Sequence, residues 1–321
     1  MTALPFLDRL ALPVVAAPML RVSGIELVSA ACRAGIVGAF PTANCASLGE
    51  LDGWLDRLRR EAREAAERGE PVHGPFCPNL IMRRDPAKLR DEFALIASYQ
   101  PQVAITSVGS PAAAIPVLHA AGCRVLADVA TLHHARRALD AGADGLVLLT
   151  AGAGGHTGWA NPFAFVRAVR AFFDGPIMLS GGISDGAGVA AARVLGCDLV
   201  GMGTRFIGAR ESLASDGYKA MLRASTLDDI RTTRAFTGLP ANFLVPSIRQ
   251  TGLDPDALDE SVTVQQARER FGGGADGVVI RRWQDLWSAG HSVSGVTQIE
   301  PAALIVERLT AQYRQARASR H

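Results

Sequence analysis

Lysine is nearly missing from this sequence: among 321 residues only Lys88 and Lys219 are lysines, and arginine supplies almost all the positive charge. Those arginines are interspersed with acids, the formal net charge is +2, and no basic stripe is visible. Such a balance gives no steering toward nucleic acid or anionic lipid. Cysteine is scarce and scattered. The five thiols, Cys32, Cys45, Cys77, Cys123 and Cys197, are never closer than thirteen residues, which argues against a disulfide framework and against a CxxC metal or redox pair. A reducing cytoplasm is therefore the expected compartment. Several short signatures are also missing. There is no HExxH and no His, Asp or Glu cluster at metal-ligand spacing, so no metal site is expected; GxxxxGK[ST] and GxSxG are absent as well.

Long apolar spans are lacking too. The window 145–166 holds no charged residue, but its second half contains Gly152, Gly154, Gly155, His156, Gly158, Asn161 and Pro162. That composition offers no continuous membrane helix and reads as a strand followed by a loop. Near the start, LALPVVAAPML is interrupted by Pro13 and Pro18 and preceded by Asp8 and Arg9, a poor signal peptide. With 48% hydrophobic and 20% charged residues, the chain has the composition of a folded globular protein.

What the sequence does have is a rhythm. Apolar runs recur as PVVAAP (13–18), IVGAF (36–40), GPFCPNLIM (74–82), QVAITSVG (102–109), RVLADV (124–129), DGLVLLT (144–150), PIMLSGG (176–182) and DLVGMG (198–203). Amphipathic helical segments separate them, and glycines such as Gly35, Gly122, Gly142 and Gly196 sit as C-caps just before a strand. Continuous apolar runs with helical crossovers belong to parallel strands buried on both faces. Eight such units predict a (β/α)₈ TIM barrel. The rhythm breaks after Arg205, where a helical stretch with loop breaks at TGLPANFLVPS and FGGGADG reads as an excursion over the barrel mouth. Residues 1–205 and 300–321 are thus expected to form the barrel, and 206–299 a helical substrate or lid region.

In such a barrel the chemistry lies at the carboxyl ends of the strands. Those ends carry Ala17, Pro18 and Met19 (first), Asn79 (third), Asp128 (fifth), Gly154, Gly155 and His156 (after the sixth), Ser180, Gly181 and Gly182 (seventh), and Gly201, Met202, Gly203 and Thr204 (eighth). Glycine turns after strands seven and eight suit a phosphate, with backbone N–H groups, a helix N-terminus and the hydroxyls of Ser180 and Thr204 as donors. Of the seven histidines, His133 and His134 fit a solvated helix, His119 a helix face, and His321 a terminus. His156 stands apart, because close glycines let the backbone approach a ligand beside it.

These residues carry a family resemblance. AAPM at the first strand, GAGGHTG after the sixth, LSGGISDG at the seventh, GMGTRF at the eighth and LWSAGHSVSGV near the end resemble the FMN-dependent nitronate monooxygenases, formerly 2-nitropropane dioxygenases. The resemblance implies a flavoprotein that oxidises alkyl nitronates or nitroalkanes with O2 to a carbonyl compound and nitrite. It implies His156 as the catalytic residue, acting as a base or as a hydrogen-bond partner of the nitro oxygens. The flavin would be held by Ala17, Pro18, Met19, Asn79, Gly155 and the FMN phosphate site at Ser180, Gly181, Gly182, Gly201, Met202, Gly203 and Thr204. The expected partners are a small-molecule substrate and O2, with no nucleic acid or membrane, and a homodimer is compatible with the family. The alternative is an NAD(P)H-dependent flavin reductase on the same barrel, acting on an enoyl thioester or a quinone. Two departures stand out: Asp128 replaces a lysine or small residue beside the flavin, and the usual AGQ is AGH, where His291 would add a second titratable group to the pocket.

Overall fold

A computed structural model describes residues 4–70, 73–272 and 280–318. Gly273 to Gly277 of the FGGGADG break and His321 lie outside the described residues. Eight parallel strands close a barrel: Val14–Ala16, Val37–Pro41, Phe76–Ile81, Val103–Ser107, Arg124–Val129, Gly145–Leu149, Ile177–Ser180 and Leu199–Met202. The first strand completes the ring, with Val15 opposite Val37 of the second and Gly201 of the eighth. Each strand coincides with one of the apolar runs, since a strand buried on both faces is apolar along most of its length. Between strands the chain turns back through glycines such as Gly196, which caps its helix at a φ of 110°, a conformation that excludes most side chains.

The interior of the barrel is filled by Val15, Val37, Ala39, Cys77, Val103, Ile105, Leu126, Val147, Met178 and Leu199, with Leu4 and Phe6 from the N-terminal segment packed against the same cluster. Inward positions recur every second residue along a strand. One step beyond this layer therefore come Asn79, Ser107, Asp128, Leu149, Ser180 and Gly201, and all six line the cavity at the mouth. The eighth helix of the ring comes late in the chain. Only a short turn, Thr204–Ile207, follows that strand, and the helix that packs between Gly186–Leu195 and Ile25–Arg33 is Ala302–Ala318.

Residues 206–299 leave and re-enter the barrel between these two points. The stretch holds helices and also two strands that the sequence reading did not anticipate. Ile230–Thr233 and Ala241–Leu244 pair antiparallel, and Ala241–Leu244 pairs in turn with Gly155–His156, so the excursion is stitched to the loop after the sixth barrel strand. Its base is closed by an ion pair. Arg205 and Glu300, with side chains only 5% and 6% exposed, bond each other, and Arg308 reaches the other carboxylate oxygen of Glu300 at 2.9 Å. Among the described residues no helix is long and apolar enough to cross a membrane.

Removing one partner of a buried ion pair leaves the other charge uncompensated. Glu300→Leu is expected to lower unfolding free energy by about 3–5 kcal/mol, and the double variant Arg205→Met with Glu300→Leu to recover much of that loss. Urea denaturation of the three proteins checks this; equal stability of the single variant and the parent would show that the pair is not needed.

Candidate active site

The mouth of the barrel opens into a cavity of about 2070 Å³, roughly twice the upper end of ordinary ligand pockets, ~1,000 Å³. Its floor is the inward layer just described. Asn79 donates to Ser107 Oγ at 3.1 Å, so two of the floor's polar groups satisfy each other. Asp128 has no hydrogen bond or cation partner among the described residues, and burial alone pushes its carboxyl up to about 7. Near neutral pH it exchanges a proton readily.

The glycine-rich loop after the sixth strand is built by close backbone contact. A side chain at Gly152 would meet the backbone of Gly182 at 2.9 Å, one at Gly154 would meet Gly290 at 2.8 Å, and one at Gly158 would meet the Leu149 carbonyl at 2.0 Å. The Gly152 carbonyl accepts from the amides of both Gly182 (3.2 Å) and His291 (3.0 Å). Asn242, fully buried, donates to the carbonyls of Ala151 (2.9 Å) and Ala153 (2.7 Å). Most of the glycines thus serve the meeting of three segments rather than the reach of the histidine. Gly155 alone has a left-handed φ, at 66°.

His156 follows, on a two-residue strand paired to Ala241 and Asn242 instead of at the end of a barrel strand. Its ring stands edge-on to Trp283, with centroids 5.6 Å apart, and Trp283 stacks on Phe243 at 5.1 Å. One side of the imidazole faces the cavity, and the rest is enclosed by protein. That desolvation, reinforced by the Arg282 guanidinium, pushes its pKa down to about 4. The ring is neutral at physiological pH, well below the ordinary value near 6.5.

Across the mouth, the turns after the seventh and eighth strands come together beneath this loop. Of the two helix N-termini expected at the phosphate cradle, that of Gly186–Leu195 is capped by Asp185, whose carboxylate accepts from Gly188 N at 2.8 Å, and that of Thr204–Ile207 carries no side-chain cap. The turns themselves remain: the amides of Gly181, Ile183 and Thr204 donate to no protein acceptor among the described residues. At Gly182 an added Cβ would meet nothing within 4 Å, so the turn faces open space. The Thr204 hydroxyl accepts from Gly290 N at 2.8 Å, tying the AGH segment to the eighth strand.

Ala17, Pro18, Met19, Asn79, Asp128, Gly155, His156, Ser180, Gly181, Gly182, Gly201, Met202, Gly203 and Thr204 all line this one cavity. His291 does not: it is exposed, and only its backbone amide is engaged, so it adds no titratable group to the pocket. Sequence reasoning missed Tyr218, Trp283 and Trp287, which also line the cavity. Tyr218 stacks on Trp287 at 5.1 Å, and its hydroxyl accepts from Ser288 N at 3.2 Å. The only signal was the spacing of two tryptophans just before AGH.

Comparison with known proteins fits this geometry. A family model described as nitronate monooxygenase matches residues 78–312. A nitronate monooxygenase of Paraburkholderia phytofirmans is 27% identical over 95% of this chain and 93% of its own. An octahydro-indene carboxyl-CoA dehydrogenase of Mycobacterium tuberculosis is 30% identical over 72% of this chain and 62% of its own. Among solved structures, a nitroalkane oxidase of Streptomyces ansochromogenes superposes with a TM-score of 0.72 at 25% identity, over 99% of this chain and 100% of that one. The chain belongs to the nitronate monooxygenase family, and is a flavin-dependent oxidoreductase.

Proposed function

We propose that this protein oxidises alkyl nitronates with O2 to a carbonyl compound and nitrite, using FMN. The observation that carries the reading is a neutral His156 facing a cavity whose opposite wall presents free turn amides. The residues fit a flavin monophosphate. The unpaired amides of Gly181, Ile183 and Thr204 suit a terminal phosphate, and Ala17, Pro18, Met19, Asn79 and Ser180 border the space beside it. When bound, the flavin supplies the electron-accepting ring. The protein's own groups supply position and charge. A neutral imidazole with a pKa of about 4 is a weak base and a competent hydrogen-bond donor. His156 therefore holds and polarises the nitro group of a substrate that has already lost its α-proton, which favours the nitronate over the neutral nitroalkane.

Three outcomes test this. Denaturation should release FMN and not FAD. Gly203→Ala should keep the flavin, because the nearest atoms to a Cβ there, Met19 Sδ at 3.5 Å, Ala17 Cβ at 3.8 Å and Met19 Cγ at 3.9 Å, are at ordinary contact distance, whereas Gly203→Asp should lose it by setting a carboxylate against the phosphate. Flavin retention by the aspartate variant would move the site elsewhere.

His156→Asn should lower turnover of a nitronate and of its parent nitroalkane by similar factors, about 10²- to 10³-fold, as for loss of one oriented donor. A loss confined to the nitroalkane would make His156 the base instead. If NAD(P)H bleaches the flavin and neither nitro compound is oxidised, the reductase reading replaces this one.

Asp128 sets the pH dependence. Above about 7 it is ionised, and a negative charge on the floor opposes the arrival of electrons in the site. Nitronate turnover is expected to fall as pH rises through about 7 in the parent and in His156→Asn, and to be flat there in Asp128→Asn. An inflection that survives in Asp128→Asn would belong to another group.

A further inference from the structure

One cation in the cavity differs from the rest. Arg83, Lys88, Arg90, Arg137 and Arg268 line it but are exposed, so water and salt screen their charge. Arg282, which lines it from the excursion, is half-buried. Its place is set by backbone. The amide of Arg282 donates to Phe271 O at 3.0 Å, and the next residue, Trp283, holds a left-handed φ of 66°, a strained setting that persists only where the surroundings enforce it. Trp283 is also the residue whose ring meets His156, with centroids 5.6 Å apart. On the other side in sequence, Arg281 is paired with Asp285 at 3.1 Å. The Arg282 guanidinium instead touches one protein acceptor among the described residues, Phe236 O, at a long 3.5 Å, which leaves most of its N–H donors without an acceptor. Its charge adds to burial in depressing the pKa of His156. Burial and then the nearby Arg268 lower the pKa of Arg282 itself, and no carboxylate among the described residues offsets them.

A nitronate is an anion, and neither titratable group already placed in the site balances that charge. His156 is neutral at physiological pH, and Asp128 turns negative as pH rises through about 7. A half-desolvated guanidinium attracts an anion more strongly than a solvated one, because the dielectric between them is lower. We infer that Arg282 is the residue that selects for an anion in this site, its guanidinium taking the negative charge of the nitronate while His156 donates to the nitro group. This rests on the nitronate reading of the site.

Steady-state kinetics of the flavin-containing protein with a nitronate, and calorimetric titration of the same protein with nitrate, a planar oxyanion, test it. Arg282→Met should raise KM for the nitronate and weaken nitrate binding by about ten- to a hundredfold, the worth of one charge-assisted hydrogen bond. Its kcat should stay within about threefold of the parent, the pattern of binding lost equally from ground and transition states. Arg282→Lys, which keeps the charge, should hold both affinities within about threefold of the parent. Unchanged melting temperature shows that each variant is folded. Nitrate affinity and KM in Arg282→Met within about twofold of the parent overturn the inference, as does a fall in kcat with KM unchanged. The nitrate titration needs no turnover, so a parent that binds nitrate through Arg282 but oxidises no nitronate overturns the proposed function and leaves the anion site standing.

Discussion

The site depends on one carbonyl. Gly152 O receives an amide from the turn after the seventh strand and another from the AGH segment near the end of the excursion. These segments come from points more than a hundred residues apart along the chain, and glycine is what lets their backbones touch. A Cβ at Gly152, Gly154, Gly181 or Gly290 would stand within 3 Å of backbone atoms of a neighbouring segment. Asn242 then locks the loop by taking two of its carbonyls, satisfying groups that would otherwise be buried without partners. Barrel, excursion and histidine loop are registered to one another through this contact.

Desolvation governs the electrostatics that follow. His156 is driven down and Asp128 driven up, both toward the neutral form. Between roughly pH 5 and 6 neither carries much charge, so the inner cavity is nearly uncharged while its outer wall is cationic. The aromatic stack supports this arrangement. Trp283 adopts a left-handed φ of 66°, a strained setting for a bulky residue, and it is held there by stacking on Phe243. Its ring shields one side of His156 from water and fixes the imidazole's orientation.

The barrel was legible because each strand is apolar along most of its length and helix ends such as those at Gly35, Gly122, Gly142 and Gly196 carry a glycine. Asn79, Asp128 and Ser180 could be placed at strand ends by counting alone. The excursion was not legible to the same degree. Ala241–Leu244 is a short strand inside what reads as a loop break, and its partner Gly155–His156 lies some eighty-five residues earlier, a pairing no local pattern announces. Tyr218, Trp283 and Trp287 reach the cavity only through that folding. The glycines of the histidine loop could be noticed but not explained, since a close backbone approach is a fact about two segments and the sequence shows one at a time. The pKa of His156 likewise depends on enclosure by residues distant along the chain.

The position of the helix Ala302–Ala318 governs the order of assembly. It fills the gap between the first and seventh helices of the ring, and Gly186 meets its backbone so closely that an added Cβ would stand 2.3 Å from Leu309 O. The eighth strand is made nearly a hundred residues before this helix. During synthesis the barrel must therefore wait, its last groove uncovered, until the entire excursion has emerged. Closing a loop of that length carries a modest entropic cost, since the cost grows only logarithmically with length, but the contacts are highly non-local and slow to form. A nascent chain ending before residue 302 would expose the apolar flank of the helix Gly186–Leu195 to water.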